Sequence, residues 1–104
     1  MGKVFVTQEV PRLDYSKAAE FGGVVFLSAM DLSSEKNSLH NVAIIDGMRD
    51  KLRDFDPEHD YLVPSGSPIV AAAAFMLVRE KAHRVSVLKW SNRDFLYSVV
   101  HINL

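Results

Sequence analysis

The run from Tyr61 to Ala82 constrains this chain more than any other part of it. It reads YLV, then PSGSP, then IVAAAAFMLVREKA. A short apolar strand pattern ends at a stiff turn, and a long helix-like run follows at once. Ser67 is placed to cap that helix, and Pro68 falls at its first position, where a missing N–H costs nothing. A strand that feeds a helix and then another strand demands parallel pairing and a crossover. The sheet is therefore at least partly parallel.

The rest of the chain supplies the partners such a unit needs. Lys3 to Val10 reads as a strand, with β-branched Val4, Val6 and Thr7, and Pro11 stops it. Asp14 to Glu20 reads as a short helical turn or an ordered loop, closed by Gly22 and Gly23. Val24 to Leu27 is a short, continuously apolar run, as in a buried strand. The polar stretch Asp31 to Ser38 is a loop. A helix follows, capped by Ser38 or Asn37, with Leu39, Val42, Ile45, Met48, Leu52 and Phe55 at steps of three and four until Asp56-Pro57 ends it. RVSVLKW (Arg84 to Trp90) and FLYSVVHI (Phe95 to Ile102) alternate around Ser91 to Asp94 and predict a hairpin. The expected fold is α/β: a small mixed sheet in the order β-β-α-β-α-β-β, two helices packed on it, and a C-terminal β-hairpin. At 104 residues, the whole of 1–104 is expected to form a single compact domain.

The helix after Pro68 has no polar face from Ile69 to Val78. A helix apolar all round is buried on more than one side, and one sheet and one neighbouring helix leave part of it uncovered. Small side chains would let a second helix come close. This predicts a homodimer interface at Ala71, Ala74, Phe75 and Val78.

Composition excludes some chemistry. There is no cysteine, which removes disulfides, thiol catalysis and thiolate metal sites and suits a cytoplasmic setting. No apolar run is long enough to predict a signal peptide or a membrane span. Charge is uneven: residues 1–60 hold 7 Lys/Arg against 11 Asp/Glu and residues 61–104 hold 5 against 2, within a net charge of −1. Blocks this modest read as solvated faces.

Four constellations bear on function. The Pro64–Pro68 loop lies where a helix start and the carboxyl end of a strand coincide, a place that attracts anions. Ser65, Gly66 and Ser67 offer donors and close approach there, and Arg93 or Lys89 could assist. Yet no phosphate-loop lysine or G-x-G-x-x-G accompanies them, and both prolines delete a donor. His40, His59, His83 and His101 lack a metal-ligand spacing, and Asp56, Glu58, His59 and Asp60 read as a solvated loop, so no metal or other cofactor is expected. Ser65-Gly66-Ser67 is not the G-x-S-x-G nucleophile turn, and no catalytic residue is assigned. Lys81, Arg84, Lys89, Trp90, Arg93 and Tyr97 mix cations with aromatics, but the net charge argues against a nucleic-acid partner. Trp90 and Tyr97 instead fit as a cross-strand pair.

Four segments in order, KVFVTQEVP, DYSKAAEFG, DYLVPSGSPIVAAAA and LKWSNRDFLY, give the chain a resemblance to small proteins of unknown function from tailed bacteriophages and prophages. The resemblance implies a phage-type accessory or host-interaction protein acting in the bacterial cytoplasm, and it brings no site residues with it. The expected function is non-catalytic binding of a macromolecular partner, either a host protein or a second copy. The alternative is a small-anion or nucleotide site at Ser65, Gly66, Ser67 and Arg93.

Overall fold

A computed structural model describes residues 2–104. The elements run β1 (Lys3–Val6), α1 (Ser16–Ala19), β2 (Gly23–Phe26), α2 (Leu39–Lys51), β3 (Tyr61–Val63), α3 (Pro68–Arg79), β4 (Arg84–Ser91) and β5 (Leu96–Asn103). The strand and helix order is the expected one with α1 added, so three helices pack on the sheet rather than two. The sheet order is β2-β1-β3-β4-β5. Its first four strands are mutually parallel, and β5 closes the set antiparallel to β4, as the hairpin requires.

Alternation along the strands sends side chains to two faces. Phe5, Leu62, Val85 and Val87 meet Met48 and Leu52 of α2 and Val70, Ala74, Leu77 and Val78 of α3. Val4, Val6, Val63 and Leu88 point the other way and pack against Ala18 of α1. Each fully buried Val, Leu or Met contributes roughly 1.5–3 kcal/mol. One face thus has two long helices, and the other has only a four-residue one.

α3 begins as the sequence predicts: Ser67 Oγ accepts from Ile69 N at 3.2 Å, with Pro68 in the first turn. It stops at Arg79, before the expected Ala82. The interior of the chain already takes up part of its apolar surface. Ala74 and Val78 are fully buried in the core of the same chain, and Ala71 and Phe75 are half-buried. The outward residues are Ile69, Ala72 and Met76. The proposed interface set therefore does not form one exposed stripe.

α2 also departs from its pattern. Ser38 caps it, accepting from Asn41 N, but the helix ends at Lys51 rather than running on to Phe55. Lys81 Nζ donates to the carbonyls of Leu52 and Arg53, which satisfies acceptors a longer helix would use. At the other end, Leu39 is 84% exposed and Val42 54% exposed. The first turn stands off the sheet because the preceding loop holds it: Ser33 and Asn41 exchange hydrogen bonds, and His40 Nε2 bonds Asp31 O.

The Asp56–Asp60 loop is not wholly solvated. Asp60 is buried and accepts from Lys3 N and Asp56 N, both at 2.7 Å, tying the loop to the start of β1.

Candidate functional site at the carboxyl ends of the strands

The chain leaves β1 toward α1 on one face and leaves β3 toward α3 on the other. β1 and β3 are neighbours, so their two exit loops part company at the carboxyl edge of the sheet. In open α/β sheets such a reversal of winding opens a crevice, and ligands bind there.

The loops are tied together at the base of this crevice. Thr7 Oγ1 donates to Ser65 O and accepts from Ser65 N, both at 2.8 Å. Gln8 Oε1 accepts from Ser67 N at 2.7 Å. Gly66 has φ +78, and a Cβ there would lie 2.3 Å from Gln8 Oε1. Its glycine is needed so that the Gln8 side chain can fill the space beside it. Tyr15 OH lies 2.9 Å from Ser65 Oγ and accepts from Val10 N at 2.9 Å. The Ser65 amide, carbonyl and hydroxyl, and the Ser67 amide and hydroxyl, are all engaged within the chain.

Above this base lies a cavity of about 530 Å³. Leu13 and Tyr15 form one wall, Trp90, Phe95 and Tyr97 the other, and Val63, Pro64, Ser65 and Gly66 the floor. Trp90 and Tyr97 pair across the hairpin, as expected, with ring centroids 4.9 Å apart at 64°. Trp90 Nε1 donates to Asn92 Oδ1 at 2.9 Å. Tyr15 packs edge-on against Phe26, centroids 5.2 Å apart. Phe95 ends the hairpin turn at φ 54, a left-handed conformation uncommon for a bulky residue, and is 66% exposed. Asp14 and Lys17 bring charge to the wall. The Ser16 N–H holds the Asp14 carboxyl below its ordinary range. Burial, with Tyr15 and Asp14 adding in the same direction, holds the Tyr97 phenol above its own.

Of the residues named from sequence for an anion, Ser65 and Gly66 line this cavity, and so do Trp90 and Tyr97 of the cation–aromatic set. Ser67 is turned to its helix, and Arg93 sits exposed in the hairpin turn, outside the lining set. Lys89 points to the opposite face with Val85 and Val87. The cation the cleft does hold, Lys17, was not singled out, nor were Leu13, Asp14, Tyr15 and Phe95. The Asp-Tyr pair before a short helical pattern was visible, but which loops meet depends on strand order. His101 Nδ1 bonds Ser86 Oγ at 3.0 Å, on the row next to β3's first residue, Tyr61, rather than at its carboxyl end beside Ser65. Among the described residues, no group of three or more His, Asp or Glu is arranged to hold a metal ion, and no helix is long and apolar enough to cross a membrane.

Sheet order and cleft together define a doubly wound α/β domain with an aromatic crevice at its reversal point. The chain matches the family described as Phage Pam3 gp32-like protein over residues 2–104, and it belongs to that family of phage proteins. No curated protein and no solved structure matches it significantly.

Proposed function

We infer that this phage protein is a non-catalytic accessory protein that binds a macromolecular partner, with the crevice taking an apolar or aromatic side chain of that partner. A bacterial host protein met in the cytoplasm is the partner class this reading favours. One observation carries it: rings from three separate segments, Tyr15, Trp90 and the Phe95–Tyr97 pair, converge on one cavity, and in its floor the amide, carbonyl and hydroxyl of Ser65 are already bonded within the chain. Such a site has apolar surface to offer and few free donors. Aromatic side chains, Trp and Tyr above all, supply most of the energy at protein interfaces.

The same floor weighs against a small-anion or nucleotide site at Ser65, Gly66, Ser67 and Arg93, because the Ser65 amide and hydroxyl and the Ser67 amide are already in use within the chain. The test is affinity capture from bacterial lysate with the wild-type chain, with Trp90→Ala and with Phe95→Ala, followed by titration of the captured protein against the fluorescence of Trp90, the chain's single tryptophan. Capture that both variants lose, and a Trp90 fluorescence change that Phe95→Ala loses, are the expected result. A thermal shift with nucleotides or phosphate, and no capture, would favour the anion reading instead.

A further inference from the structure

The two borders of the sheet are built differently. β2 is four residues long, and Lys51 Nζ donates to its last carbonyl, Phe26 O, at 2.9 Å. Shortness and a lysine are the usual protections of a strand edge. β5 has neither. It runs eight residues, Leu96 to Asn103, without a proline or a Lys, Arg, Asp or Glu, and among the described residues no strand lies beyond it.

The phase of its ladder can be read from one bond. Leu104 N donates to His83 O, so that pair exchanges hydrogen bonds with the β4 side. Pairs in an antiparallel ladder alternate. Ile102, Val100, Ser98 and Leu96 therefore turn their backbone groups to β4, while Val99, His101 and Asn103 turn theirs outward. The same stretch exposes aliphatic side chains on both faces: Val99 at 37%, Val100 at 38% and Leu96 at 47%, with Leu104 at 48% just beyond its end.

We propose that β5 is a homodimerisation edge, at which a second copy of this chain adds its own β5 antiparallel across a two-fold axis and continues the sheet. An axis perpendicular to the sheet keeps each face on its own side, so opposed residues must come from the same face. Centring it on Val100 meets this condition. Val99 then exchanges backbone bonds with the second copy's His101, and His101 with the second copy's Val99. Val100 lies against the second copy's Val100, and Leu96 faces the second copy's Leu104. Apolar side chains meet at the Val100 and Leu96–Leu104 positions, Val99 and Ile102 lie opposite the second copy's His101 and Ser98, and β5 brings no Lys, Arg, Asp or Glu into the contact. A strand so uncharged offers nothing to a charged foreign peptide, but it complements itself in the isologous manner a two-fold requires. This edge adjoins the aromatic crevice at Tyr97 and the outer surface of α3 at Leu104, which borders Phe75 and Met76.

Val99 decides the matter experimentally. Its N–H faces outward, so Val99→Pro deletes an edge donor without touching the β4 ladder, and Val99→Lys sets a charge at the centre of the contact. Sedimentation equilibrium of the full chain in the micromolar range is expected to give twice the chain mass, and both variants the single mass with an unchanged far-ultraviolet dichroism spectrum. The Val99 and His101 amides are expected to exchange slowly in the dimer and quickly on dilution. If Val99→Pro fails to fold, Val99→Lys carries the test. A wild-type chain monomeric at several hundred micromolar overturns the proposal. So does a dimer that survives a folded Val99→Lys, including one lost on Met76→Asp, which would assign the interface to α3.

Discussion

Thr7 and Ser65 exchange two hydrogen bonds across the tips of β1 and β3, one hydroxyl acting as both donor and acceptor. Thr7 is wholly buried. The pair locks together the two loops that diverge to opposite faces, and so sets the floor of the crevice. Thr7→Val keeps the shape and leaves the Ser65 N–H and C=O without partners. The expected cost is about 1–3 kcal/mol, seen as a lower thermal midpoint, while Thr7→Ser, which keeps the hydroxyl, loses distinctly less.

Gly66 answers to Gln8 rather than to a ligand. Gly66→Ala pushes a Cβ into the Gln8 side chain and holds an L-residue at φ +78. The left-handed backbone alone costs roughly 1–2 kcal/mol, and displacing Gln8 frees the Ser67 N–H. Denaturant unfolding should therefore show Gly66→Ala destabilised. Adding Gln8→Ala should recover only a fraction of the loss, because the Cβ of residue 8, 2.7 Å from the new methyl, stays in place and the backbone strain remains. Full recovery in the double variant would mean that the conformation of Gly66 carries no cost.

What was legible in the sequence follows from how local each signal is. The Ser67 cap with Pro68, the Ser38 cap and the Trp90–Tyr97 pair need only neighbours in the chain or across one turn, and all are in place. The stripe of α2 was misleading at its start because Leu39 and Val42 fit the period, yet the loop before them lifts the first turn off the sheet. Ala74 and Val78 looked like a surface because periodicity cannot say how many sides of a helix its own chain covers. The crevice was least legible. Tyr15 meets Ser65 only because β1 and β3 are adjacent, and no residue pattern states that adjacency.

The two ends of α2 make that distinction measurable. Met48 is completely buried against the sheet, and Met48→Ala is expected to cost about 2–5 kcal/mol. Leu39 is the most exposed of the large apolar side chains among the described residues, and Leu39→Lys should stay within about 0.5 kcal/mol of wild type. Urea midpoints of the two variants check this. A large loss at Leu39 would show that its surface is covered in solution, by another copy or by a segment of the same chain.

Tyr97 gives the crevice a signature at alkaline pH. Burial, first, and then Tyr15 and Asp14 raise its phenol above the ordinary value of 10.0. The folded chain therefore holds this proton more tightly than the unfolded chain does. The stability that depends on it is fully present below the unfolded value and is lost as pH climbs through the higher folded one. Unfolding midpoints measured from about pH 9 to about pH 11 should fall more steeply for wild type than for Tyr97→Phe. Lysines ionise in the same range, but they do so in both proteins, so the difference between the two curves isolates the phenol. Phenolate absorbance should agree: of the three tyrosines, the one lost in Tyr97→Phe should ionise at a pH above the ordinary value. Parallel curves would mean that solvent reaches the Tyr97 hydroxyl freely, and that the crevice wall is more open than its packing against Trp90 implies.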